Sequence, residues 1–171
     1  LLQELHIERS SKRGVLGNIY KGRVQRVMPG MQAAFVDVGL ERAAFLHASD
    51  IVQAVSAPFT AESVPSERRP PPLITSLVHE GQDIIVQVIK DPIGSKGARL
   101  TTEISIPSRY LVLLPDSQTI GVSSRIEEEQ ERQRLKQLVQ AHANSSGCGY
   151  IVRTNAEGQP AEALAEDIAY L

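Results

Sequence analysis

The sequence predicts an α+β fold, in which a barrel of five short strands is followed, from about residue 103, by a smaller α/β portion. Three observations carry that expectation. Between residues 15 and 102 strand-like runs follow one another closely, punctuated by Gly and Pro. After Thr102 the order changes to strand, helix, strand, helix. The composition, 42% hydrophobic and 22% charged over 171 residues, is that of an ordinary globular chain able to bury a core.

In order, Leu1-Leu2-Gln3-Glu4-Leu5-His6-Ile7 reads as a strand and Arg9-Ser10-Ser11-Lys12-Arg13-Gly14 as a basic link. Ile19, Val24 and Val27 lie in a long strand interrupted by Gly22, which suggests a bulge or sharp bend. Pro29-Gly30 marks a turn. Residues 33–38 and 43–47 form two short strands joined around Gly39-Leu40-Glu41. The stretch 54–72 holds five of the ten prolines and reads as a long exposed loop. Ile74 to His79 make one helical turn ended by Gly81, and 83–90 and 98–102 supply the fourth and fifth strands. Five strands with one long connection between the third and fourth describe a small Greek-key barrel of the OB type.

Beyond the boundary near residue 102, Arg109 to Leu114 is strand-like and stops at Pro115-Asp116. Ser124-Arg125-Ile126-Glu127 has the form of a capping box, with acids in the first turn. It predicts a helix to about Ala143 that buries Leu135, Leu138 and Val139 and ends before Gly147. Tyr150 to Thr154 is a compact strand. A final helix carries Ala161, Leu164, Ile168 and Leu171 at helical spacing.

A net charge of −2 argues against a protein that coats nucleic acid indiscriminately, so any such site must be a local basic patch. The single cysteine, Cys148, excludes a disulfide framework or a cysteine zinc cluster built from this chain alone, and a free thiol suits a reducing cytoplasm. No apolar run approaches a membrane span and no signal peptide is visible. The absence of a starting methionine and the helical pattern running to Leu171 read as a piece of something longer.

The second and third strands carry the most informative chemistry. Side chains alternate across a strand, so Ala34, Val36 and Val38 share one face, with Ala44 and Leu46 beside them. That leaves Phe35, Phe45 and His47 together on the outer face, where two of only three phenylalanines in the chain fall. A lone strand phenylalanine is usually core. A pair placed opposite a small-residue set is better explained as a stacking platform for bases. Lys12, Arg13, Lys21, Arg23 and Arg26 are candidates to track phosphates, with Lys96 and Arg99 from the far end of the barrel.

Three segments carry a family resemblance. Gly17-Asn18-Ile19-Tyr20-Lys21-Gly22-Arg23-Val24, Ala34-Phe35-Val36-Asp37-Val38-Gly39 and Ala44-Phe45-Leu46-His47-Ala48-Ser49 resemble the S-one RNA-binding module of the OB class. Met31 to Asp37 and Lys96-Gly97-Ala98-Arg99-Leu100-Thr101-Thr102 further resemble the RNase E/G family of bacterial endoribonucleases, and within it the RNase G branch. The resemblance runs over nearly the whole chain. It implies that Phe35, Phe45 and Lys96 face RNA, and that residues 1–13 give one strand to an RNase H-like subdomain into which the barrel, 14–102, is inserted. Residues 103–171 then resemble a 5′-sensor, a pocket for 5′-monophosphate ends of single-stranded RNA.

In that pocket the resemblance places Arg153 and Thr154 on the phosphate and Val112 beside the terminal nucleotide. A guanidinium fork with a hydroxyl is suited to a phosphate monoester. Ser108 stands where the family often has glycine, and Ser124 near where a second arginine can lie; Arg125 is the candidate to supply that charge. The family cuts RNA with paired magnesium-holding aspartates and shares zinc between subunits through a cysteine pair. Neither is expected within these residues, whose aspartates are scattered. For the parent protein the resemblance implies Mg2+, Zn2+, a homo-oligomer, and work in rRNA processing and mRNA decay in the cytoplasm. The alternatives are a stand-alone OB-fold RNA-binding module without nuclease activity, and a barrel that docks another protein.

Overall fold

A computed structural model describes residues 14–52 and 72–171. The expected strand at 1–7, Lys12 and Arg13 of the basic link, and all of the expected loop but Pro72 lie outside the described residues. Contacts divide the chain into two compact units between Thr102 and Glu103.

The first unit is a closed barrel of five strands, β1 (Ile19–Met28), β2 (Ala33–Asp37), β3 (Ala44–His47), β4 (Asp83–Lys90) and β5 (Arg99–Thr101), with one short helix, α1 (Ile74–Leu77). Strand order is β1-β2-β3-β5-β4, closed by β1 against β4; β3 and β5 run parallel and the other pairs antiparallel. This is the five-stranded OB-type barrel expected from the strand spacing. Period-two alternation builds its interior: Val24, Ala34, Val36, Ala44, Leu46, Val86, Val88, Ala98 and Leu100 are buried, and α1 adds Ile74 to the same core.

Closure depends on one long, bent strand. β1 pairs with β4 through Ile19–Arg23 and with β2 through Arg23–Met28, so Arg23 faces partners on both sides. The expected irregularity at Gly22 falls elsewhere. Gly22 is a place of close approach, where a Cβ would come within 2.6 Å of Val36 Cγ1 and 2.9 Å of the Asp37 carbonyl oxygen. The register slip comes three residues later, where Gln25 and Arg26 together oppose Phe35. A second slip puts Ile89 and Lys90 opposite Arg99. The helical turn ends in extended backbone at Val78, before Gly81.

The second unit is a four-stranded sheet of β6 (Ile106–Pro107), β7 (Leu111–Leu114), β8 (Ile120–Val122) and β9 (Gly149–Val152), in the order β6-β7-β9-β8. Helices α2 (Glu129–Ser146) and α3 (Ala161–Tyr170) cover it. Leu111, Val152, Ile126, Leu135, Val139 and Leu164 form the buried centre. β6 and β8 are too short to show a period in the sequence.

The expected capping box at Ser124 does not form. Ser124 and Arg125 lie in a turn, and α2 begins at Glu129. The cause is Ile126, which is fully buried and whose amide donates to the Ser123 carbonyl at 3.1 Å. One guanidinium nitrogen of Arg132, within α2, donates to the carbonyls of Ser123 (2.8 Å) and Ile126 (3.0 Å). That clamp holds residues 123–126 as a loop. No helix among the described residues is long and apolar enough to cross a membrane.

Candidate nucleic-acid interface and phosphate cavity

On the barrel, Phe35 and Phe45 are paired across β2 and β3, with ring centroids 6.1 Å apart in an edge-to-face arrangement. Phe45 and His47 follow at 6.3 Å, their rings stacked with planes 29° apart. All three are half-buried, while Ala34, Val36, Ala44 and Leu46 between them point inward and are fully buried. His47 is steadied from its own strand end, since its Nδ1 lies 2.7 Å from Ser49 Oγ and 3.2 Å from the Ser49 amide nitrogen.

The cations around this face are not equivalent. Arg99 is the register neighbour of Phe45, but its Nε and Nη2 both rest on Asp50 Oδ2, at 2.9 and 2.8 Å. Lys21 and Arg23 share Asp83, at 3.2 and 3.1 Å. The Lys21 ammonium and the Arg23 guanidinium hold that carboxyl below its ordinary range. Their charge is thus partly neutralised, on the half of β1 that pairs with β4. Lys96 is exposed in the β4–β5 turn, which the Ile93–Lys96 bridge closes. The adjoining Gly97 lets that turn press against β3, because a Cβ there would fall 2.1 Å from the Ala43 carbonyl oxygen.

In the second unit, a cavity of about 440 Å³ opens at the ends of β8 and β9, lined by Ser123, Ser124, Arg125, Ile151, Val152, Arg153, Thr154 and Asn155. It therefore collects Arg125, Arg153 and Thr154 from two segments about 30 residues apart in sequence. Parallel pairing of β8 with β9 aligns those segments, Val122 lying opposite Val152. Thr154 Oγ1 and Ser123 Oγ are hydrogen-bonded to each other at 3.2 Å in its wall. Among the described residues neither Arg125 nor Arg153 has an ion-pair partner. Arg153 Nη1 donates to the Ser108 carbonyl at 2.5 Å, which orients the guanidinium and leaves donors of its five N–H groups for a ligand.

Val112 is not in that lining. It is the register partner of Ile151, which is, and both lie on the sheet face away from the buried Leu111 and Val152. Ser108 likewise contributes by its backbone; its hydroxyl is turned to Asp167 Oδ2 at 2.5 Å and the Leu111 carbonyl at 2.9 Å. The same Asp167 oxygen accepts the amides of Tyr110 (2.9 Å) and Leu111 (3.0 Å). Asp167 on α3 thus holds the β6–β7 turn whose carbonyl steers Arg153. Sequence reasoning missed Asp167, Ser123, Asn155 and the loop clamp Arg132. None carries a local signal, since Asp167 meets Ser108 across 59 positions of chain.

What this arrangement offers is an exposed guanidinium from Arg125, a half-buried one from Arg153 and the hydroxyls of Ser123, Ser124 and Thr154 around an open cavity in the second unit, and an aromatic, cation-flanked strand face on the barrel. Among the described residues no group of three or more His, Cys, Asp or Glu could hold a metal ion.

The model of the Ribonuclease E/G family matches residues 105–171, and the similarities below cover the barrel as well. Over all 171 residues the chain is 57% identical to Ribonuclease G of Salmonella typhimurium and 56% identical to Ribonuclease G of Escherichia coli K12. Over 170 residues it is 39% identical to Ribonuclease E of the same E. coli strain. The chain spans 34% of the length of the two Ribonuclease G proteins and 15% of that of Ribonuclease E.

Proposed function

We propose that this chain is the RNA-recognition part of a single-strand-specific endoribonuclease, with bases stacking on Phe35 and Phe45 and a 5′-monophosphate seated in the cavity of the second unit. The observation that carries the reading is the convergence of Arg125, Arg153, Thr154 and Ser123 on that cavity. A monophosphate brings up to two charges and three acceptor oxygens; a guanidinium fork and hydroxyls match them. The apolar row of Val112 and Ile151 beside the cavity suits the terminal nucleoside. On the barrel, Lys96 is the candidate for a further phosphate contact.

On this reading the hydrolysis itself, its Mg2+ and a zinc shared between subunits of a homo-oligomer belong to the part of the relatives that these residues do not span. Family likeness supports a cytoplasmic role in rRNA processing and mRNA decay. The test compares 5′-monophosphorylated and 5′-hydroxyl forms of one oligonucleotide. Tighter binding of the monophosphate is expected. Arg153→Ala with Thr154→Val should cut the preference tenfold or more, since each charge-assisted bond contributes about 1.5–3 kcal/mol. Equal binding of the two forms by the unaltered protein would remove the 5′-end reading.

A further inference from the structure

The two register slips in the barrel fall in one row. In-register partners run Arg26–Phe35–Phe45–Arg99–Lys90 across β1, β2, β3, β5 and β4. Adjacent strands lie about 4.8 Å apart, so the row is roughly 19 Å long, at right angles to the strands. Each slip sits at an end of it, and each changes which residue appears there.

Without the extra residue on β1, Gln25 would stand opposite Phe35, and Arg26 would stand opposite Ala34, whose side chain is fully buried. Without the extra residue on β4, Ile89 would stand opposite Arg99, and Lys90 opposite the fully buried Ala98. A shift of one residue moves a side chain to the other face of a strand. The two bulges therefore turn two charges outward that regular pairing would aim into the core. Both place a cation in line with the aromatic pair, as bulges do when they re-aim a side chain beside a site. Both side chains are exposed, and among the described residues neither has an ion-pair or hydrogen-bond partner. Arg99, inside the row, is by contrast already held by Asp50.

We propose that single-stranded RNA crosses the barrel along this row, with bases on Phe35 and Phe45 and a backbone phosphate at each end, one on Arg26 and one on Lys90. The proposal deepens the RNA-binding reading of the barrel and rests on it. Contacts of this kind carry no sequence preference and add to affinity through counterion release.

The test uses the intact protein that carries this sequence, in a chelator so that no metal-dependent cleavage intrudes. The ligand is an unstructured 5′-hydroxyl oligouridine of about ten nucleotides, within the site sizes of OB folds. Affinity is measured over a range of salt for wild type, Arg26→Gln, Lys90→Gln, Arg26→Lys, Phe35→Ala, and Lys136→Gln, the last altering an exposed lysine of α2. Arg26→Gln and Lys90→Gln should each shrink the slope of log affinity against log salt by about 0.7, and their combination by about 1.4. Arg26→Lys should keep the wild-type slope, and so should Lys136→Gln. If Phe35→Ala weakens binding while either glutamine variant leaves the slope unchanged, the track is wrong and the barrel reading stands. If wild type does not bind the oligonucleotide, the barrel reading falls and takes the track with it.

Discussion

Phe35 and Phe45 occupy positions where burial would be the ordinary fate of an aromatic side chain, yet the barrel interior between them is filled by Ala34, Val36, Ala44 and Leu46. The interior of a five-stranded barrel is narrow, and small or branched aliphatics fill it without strain. The rings are left half-exposed, held at 6.1 Å by each other. Replacing either by alanine should therefore spare the fold and weaken single-stranded RNA binding by about 1–3 kcal/mol per lost stack. Val36→Ala should do the reverse, costing on the order of 2 kcal/mol of stability by loss of buried methyls and the space they leave. Thermal melting together with oligonucleotide titration separates the two. Melting losses for Phe35→Ala as large as for Val36→Ala, with RNA affinity intact, would make the rings structural.

At the scale of elements, an ion pair within α2 ties that helix by hydrogen bonds to the chain leading into α3. Arg134 Nε and Nη2 each lie 2.6 Å from a carboxylate oxygen of Glu131, and Nη2 also donates to the Gln159 carbonyl at 2.9 Å. The Gly158 amide donates to the same carboxylate at 2.9 Å. Gly158 and Gln159 come just after the short 3₁₀ turn Thr154–Ala156 and its cap, Glu157. The Arg134 guanidinium first, and the Gly158 amide second, hold the Glu131 carboxyl down at about 2 against an ordinary 4.5. A carboxyl depressed by folding stabilises the fold above its unfolded value, and that contribution is lost as pH falls from about 4.5 toward 2. Melting temperature should accordingly drop over that window, and Glu131→Gln should be less stable near neutrality and flatter below pH 4.5. An unchanged acid limb in Glu131→Gln would show that the pair contributes nothing to the transition.

For the whole molecule, the chain divides into two compact units, and among the described residues no group of three or more His, Cys, Asp or Glu could hold a metal ion. On the proposed reading, in which hydrolysis belongs to the part of the relatives that these residues do not span, the 171-residue chain with Mg2+ should leave single-stranded RNA uncut while binding it equally well in a chelator; cleavage copurifying with the protein, and lost on chelation, would contradict this. Much of the architecture is legible from the residues alone. Strand alternation is a local, period-two property, so the inward set around Val36 and Leu46 and the outward placement of Phe35, Phe45 and His47 follow from spacing. Glycine and proline punctuate five strands into an OB-type order for the same local reason. The family likeness adds the pairing of Arg153 with Thr154 as neighbours in a motif. Other features depend on which segments meet. Ser124 has the form of a helix cap, but the burial of Ile126 and the reach of Arg132 make it part of a loop. Lys21 and Arg23 read as free cations until Asp83, on a strand about 60 positions away, sits between them. The bulges at Gln25 and Ile89, the capture of Arg99 by Asp50 and the Asp167 clamp on the Ser108 turn are likewise invisible to spacing. Which way a residue faces along one strand was determined by the sequence itself; which charges stay free and which are aligned was decided only in the tertiary structure, because pairing register and ion partners are properties of two segments at once.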